Sequence, residues 1–152
     1  MTPISKTIPQ LYETDFVAWT EQTVQLIRAG KFAQVDWDAV IEEIESLGRS
    51  DRRELKSRLE VLIQHLLKWQ YQSILRSGFW RNTIDEQRNR IADLLQDSSS
   101  LKSYPEEVLA ECYRRGLKAA MNETELPQDK FPVECPYSIA QILDAEFLPD
   151  AA

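Results

Sequence analysis

The chain has 152 residues, enough for one domain that buries about 70% of its unfolded surface and needs no disulfide or metal to stand. Hydrophobic residues make up 43% and charged residues 28%, and 4 Gly and 7 Pro are too few for a collagen-like chain or a long flexible linker. The net charge is -7 and no apolar run approaches the roughly 20 residues that cross a bilayer, so an acidic protein that stays off the membrane is expected. Residues 1–6 lack an apolar signal core, which points to the cytoplasm. Cys112 and Cys135 allow at most one disulfide, which excludes a disulfide scaffold and favours a reducing compartment.

Helical periodicity dominates the chain. Residues 1–10, with Pro3 and Pro9, read as a loose arm. A first helix is predicted from Tyr12 to Ala29, with Phe16, Trp19, Thr20, Thr23, Leu26 and Ile27 on one face and Gly30 ending it. Asp36 is a good N-cap for a second helix whose apolar face is Val40, Ile41, Ile44 and Leu47. Gly48 stops this helix, with Ser50 capping the next, or else one kinked helix runs through it. The third helix, Asp51 to Arg76, turns Leu55, Leu59, Leu62, Ile63, Leu66, Leu67, Gln70 and Ile74 to the core. A fourth spans Trp80 to Gln96, its pattern of Ile84, Ile91, Leu94 and Leu95 interrupted at Gln87 or Arg88. Ser103 and Glu106 have capping-box spacing for a fifth helix running to Glu123, in which Gly116 and Ala120 permit a close helix contact. An extended stretch follows, with Pro127, Pro132 and Pro136, and then a short helix opened by Ser138 and Gln141. Phe147, Leu148 and Pro149 are expected to cover an open end. The expected fold is all-α: a single-domain bundle over residues 11–149, of five main helices plus a short last one, with a tail at 150–152.

Several motifs stand in a fixed order: Tyr12-Glu13-Thr14-Asp15-Phe16-Val17-Ala18-Trp19, Asp36-Trp37, Ile41-Glu42-Glu43-Ile44-Glu45-Ser46-Leu47-Gly48, His65-Leu66-Leu67-Lys68-Trp69-Gln70, Trp80-Arg81-Asn82-Thr83-Ile84, and Phe131-Pro132-Val133-Glu134-Cys135-Pro136-Tyr137. Together they resemble the Domain of Unknown Function 29 family, mostly from cyanobacteria and some other bacteria, over about residues 11–149. The resemblance implies an all-helical fold and supplies no activity, substrate or catalytic residue. The family often carries Pro where this chain has Ser73, which implies a straighter long helix here.

On the third helix Arg58, His65, Trp69, Gln72 and Arg76 share one flank. This stripe either lines a binding groove, to which Trp80 and Arg88 add donors, or packs at a boundary with its arginines reaching solvent. Asp38, Glu42 and Glu45 share a face of the second helix. They either form a weak Mg²⁺ site that, with His65, performs acid–base work, or simply answer Arg49, Arg52, Arg53 and Arg58. No Glu-x-x-His pair, zinc ligand set, phosphate loop or nucleophile elbow is visible. Residues 49–90 carry 10 basic and 5 acidic side chains, against 3 and 8 before them and 5 and 12 after. That basic middle either binds phosphates or pairs internally. With Trp19, Trp37, Trp69 and Trp80 available for contacts, the expected role is a non-enzymatic interaction or regulatory module without a cofactor. Its partner would be an unidentified protein or a second copy. The alternatives are a metal-assisted phosphoester hydrolase using Glu42, Glu45 and His65, and a nucleic-acid binder using residues 49–90.

Overall fold

A computed structural model describes residues 6–152. Among these residues the chain is all-α, with six α-helices and no strand. They are α1 (Ile8–Thr14), α2 (Phe16–Arg28), α3 (Trp37–Tyr71), α4 (Gly78–Asp97), α5 (Tyr104–Thr124) and the short α6 (Ile139–Leu143). The chain divides into two compact units, one ending at Arg49 and the other beginning at Ser50.

Two boundaries in the first unit differ from expectation. The arm expected over residues 1–10 is helical from Ile8; Pro9 sits in the first turn, where its missing N–H costs nothing, and the Thr7 N–H donates to Gln10 Oε1 at 2.9 Å. Residues 1–5 of that arm lie outside the described residues. The single helix expected from Tyr12 is split at Asp15, which leaves helical backbone geometry and accepts the Ala18 N–H on its carboxylate at 3.1 Å. A short acidic side chain favours this capping role over a helix interior. The core here is small: Leu11, Trp19 and Ala39, with Tyr12 and Val40 against them. Tyr12 and Trp19 pack at 4.8 Å between ring centroids, and the Tyr12 hydroxyl donates to Glu43 Oε1 at 2.6 Å. That bond, with burial second, pushes the Tyr12 pKa up to about 12.

Of the two courses open at Gly48, a stop or a helix running through it, the structure takes the second: α3 is continuous over 35 residues. Gly30 has the positive φ of a helix terminator, at 73°, and is the one glycine among the described residues that does. Gly48 therefore stays in the helix. The same helix ends early at its other limit. Gln72 leaves the helical region (φ −128°, ψ 51°) and Ser73–Leu75 forms a 3-10 turn, so the straight run expected through Ser73 is absent. Ile74, expected in the core, is 91% exposed as a result.

The second unit is built on α3 from Leu55 onward. Leu55, Leu59, Leu62, Ile63, Leu66 and Leu67 are all shut from solvent, and Ile84, Ile91, Cys112, Tyr113, Leu117 and Ala120 enclose the last five of them. The box expected at Ser103 is not formed: Ser103 has helical geometry because a 3-10 turn, Ser99–Ser103, runs straight into α5. The Ser138–Gln141 box is formed, with bonds of 3.0 and 3.1 Å. Phe147 and Leu148 pack against the core and Pro149 is buried.

The close contact expected at Gly116 is present. A Cβ built there would lie 2.9 Å from the Glu60 carbonyl oxygen and 3.1 Å from Ile63 Cγ2. Backbone cannot yield as a side-chain tip can. Gly116→Ala is therefore expected to cost about 1–3 kcal/mol from overpacking, offset by about 1 kcal/mol of helix propensity. A lower urea midpoint with unchanged m-value would show it.

Candidate functional site

The residues of the expected stripe make separate internal contacts, and Gln72 and Arg76 lie beyond the end of α3. Arg58 donates to Glu54 at 2.9 Å and to Gln87 at 3.3 Å. It lines an open cleft of about 450 Å³ with Ser50, Arg53, Ser57 and Gln87, which His65, Trp69, Gln72 and Arg76 do not line. The Arg76 guanidinium lies 4.9 Å from the Trp69 ring centroid and donates to the carbonyls of Trp69 and Pro149. Gln72 reaches the Thr124 carbonyl at 3.4 Å. Trp80 is half-buried, with the Lys68 ammonium 4.5 Å from its ring centroid; Lys68 in turn pairs with Glu123. Arg88, which looked like an interruption of the apolar pattern, is buried on α4 and donates to the Ile142 carbonyl at 2.8 Å. It satisfies a carbonyl at the C-terminal end of α6 that the helix itself leaves open. Trp69, Gln72, Arg76 and Arg88 thus tie the second unit together.

His65 is half-buried. Its Nδ1 lies 2.8 Å from the Val61 carbonyl, which assigns the proton to that nitrogen. Burial holds its pKa below 6.5, outweighing that bond, and the Lys68 charge acts in the same direction.

On the N-terminal part of α3, Arg49 pairs with Glu42 at 3.0 Å and with Glu45 at 3.7 Å, and all three side chains are exposed. Glu42, Glu45 and His65 all belong to the one helix α3. Arg49, read as answering these acids, does so from the same helix. Among the described residues no group of three or more His, Cys, Asp or Glu is placed to hold a metal ion, and Asp38, Glu42 and Glu45 do not form one. No described helix is long and apolar enough to cross a membrane. Both cysteines are free; burial pushes the Cys112 thiol up to about 12 and raises that of half-buried Cys135. Neither is a ready thiolate.

The feature that sequence reading missed is the surface next to those acids. Val40, Ile41, Ile44 and Leu47 were expected to form the apolar face of this helix, and of these Val40 packs against the small core. Ile41 is instead 51% exposed, Ile44 63% and Leu47 69%, with Trp37 at 44% one turn earlier. At 100° per residue these side chains fall within about 120° of one another, a continuous apolar stripe. Trp37 is held in place by its Nε1–H, which donates to the Phe32 carbonyl at 2.9 Å. The opposite flank of the helix is already used: Ala39 is in the small core and Glu43 binds Tyr12.

The His65 environment carries a pH signature. Its pKa is lower folded than unfolded, so the unfolded chain takes up the extra proton and stability falls as pH drops through the unfolded value of 6.5. His65→Gln should flatten that part of the curve. Urea midpoints between about pH 8 and about pH 5 check it, and equal slopes in both proteins would contradict it.

No curated protein and no solved structure matches the chain significantly. One family model does match, over residues 11–148, nearly the whole chain. That span contains every motif of the resemblance and all of α2 to α6, and the chain belongs to the family described as domain of unknown function DUF29.

Proposed function

We propose that this protein is a cytoplasmic protein-interaction module that works without a cofactor, and that the first unit carries its contact surface. The observation behind this is an imbalance in that unit. It buries Leu11, Trp19, Val35 and Ala39, yet leaves Phe16, Val17, Val24, Phe32, Trp37, Ile41, Ile44 and Leu47 exposed. Scattered exposed leucines need no explanation, but a continuous stripe on a rigid helix is the usual mark of a protein contact. Its charged edge, Glu42, Glu45 and Arg49, suits a polar rim that excludes wrong partners and contributes little affinity.

Nucleic-acid binding is a second reading, supported by the open cleft of the second unit, where Arg53 and Arg58 stand with Ser50 and Ser57. Against it, much of the basic middle is already neutralised by Lys56–Glu111, Lys68–Glu123 and Arg81–Asp85 pairs. A phosphoester hydrolase built from Asp38, Glu42, Glu45 and His65 gains no support from their placement on a single helix.

Capture of partners from the native host, using wild type and an Ile44→Asp, Leu47→Asp double variant, separates these readings. Both side chains are exposed, so the double variant should stay within about 1 kcal/mol of wild-type stability. Loss of a stoichiometric partner is expected. Unchanged capture would sink the reading. Salt-sensitive binding to DNA or RNA, lost in Arg53→Ala, would move the function to the cleft.

A further inference from the structure

We propose that the exposed stripe of α3 binds the same stripe of a second copy, with the two helices antiparallel. This rests on the stripe being a contact surface, and it names the occupant. The order of charges along one flank favours this pairing. Beside the apolar stripe run Glu42 and Glu45, then Arg49, acid first and base after. In an antiparallel helix pair each flank meets the same flank of the other copy, read in reverse. Positions 42 and 49 lie symmetrically about a point between Glu45 and Ser46, and so do positions 44 and 47. A two-fold axis at that point sets Glu42 against Arg49 of the second copy, twice. It also sets Ile44 against Leu47, twice.

A parallel pair has no such match. It would bring the acidic flank against the opposite one, and that flank is taken by the Tyr12–Glu43 bond and by Ala39 in the first unit's core. The charges therefore specify orientation and register. They supply little strength, because the side chains of Glu42, Glu45 and Arg49 are half exposed or more and such pairs are screened. Strength comes from Trp37, Ile41, Ile44 and Leu47, which cover less than the roughly 800 Å² per partner of a standard interface. The dimer is accordingly weak and concentration-dependent.

Sedimentation across a concentration series, about 5 to about 500 µM, tests this in a range that brackets weak dimers. The average mass of wild type should climb from one chain towards two. Ile44→Glu should stay at one chain while keeping its helical circular dichroism; if that variant does not fold, Leu47→Glu takes its place. Glu42→Arg alone and Arg49→Glu alone should each associate several-fold more weakly than wild type, and an equimolar mixture of the two should recover, because each then meets its opposite. Equal association of all four samples would overturn the antiparallel register. A wild-type protein that remains one chain throughout overturns the self-pairing. Maleimide labelling of Ile44→Cys then decides the underlying reading: rapid labelling leaves the stripe bare for another protein, whereas protection in the single chain means the stripe is covered from within and removes the contact surface as well.

Discussion

Closing the face of α3 from Leu55 to Leu67 is the constraint on which the second unit depends. Six large aliphatic side chains on little more than three turns are shut from water completely, each contributing about 1.5–3 kcal/mol by burial. A face that dense cannot be covered by one neighbour. Ile84 and Ile91 of α4 share its core cluster with Cys112, Tyr113, Leu117 and Ala120 of α5. Gly116 lets the α5 backbone come near the Glu60 carbonyl, which is why the smallest residue sits at that point. The rest of the gap is filled by Phe131, Tyr137 and Ile142, from the irregular segment after α5 and from α6.

Polar groups fix where those pieces lie. Hydrophobic burial has no direction, so an irregular segment would slide without hydrogen bonds to set its register. The Tyr137 hydroxyl donates to Gln70 Oε1 at 2.6 Å and lies 3.2 Å from the Leu66 carbonyl. Tyr113 donates to the Pro132 carbonyl, and Arg88 to that of Ile142. Burial raises the pKa of both tyrosines, so each keeps its proton and with it the bond. Lys68 is a buried cation, and its pairing with Glu123 ties α3 to the end of α5. Leaving that ammonium unpaired in the interior would cost far more than the pair gains in water.

Much of this was legible in the sequence, and the failures have identifiable causes. The all-α class, the α4 and α5 spans, the Asp36 and Ser138 caps and the Gly116 contact follow from periodicity and from side-chain chemistry that acts locally. Boundaries failed where a local signal had a rival. Gly48 left a stop and a continuous helix both open, because whether a glycine takes up the positive φ that commonly ends a helix is decided by its surroundings. Asp15 lies inside an apolar pattern and still breaks it, because its carboxylate caps the next helix. Arg58, His65 and Trp69 lie on α3 as expected, whereas Gln72 and Arg76 fall beyond its end at Tyr71. Spacing could not say that their ends turn to Gln87, Val61, Thr124 and Pro149, since those partners are remote or invisible to periodicity.

The largest miss concerns Ile41, Ile44 and Leu47, and it carries a physical lesson. Amphipathic periodicity shows that a helix has an apolar face; it does not say what covers that face. Leu59, Leu62 and Leu66 repeat in the same way and are sealed, while the earlier set on the same helix is open. A unit of about 50 residues has little interior, and among the described residues its core cluster is Leu11, Trp19 and Ala39. Its unspent apolar surface is therefore linked to its own stability: whatever covers the stripe binds the folded unit and not the unfolded one, and so stabilises it by mass action. On the proposed reading, an occupant of the Trp37–Leu47 stripe therefore adds to the stability of the unit that presents it.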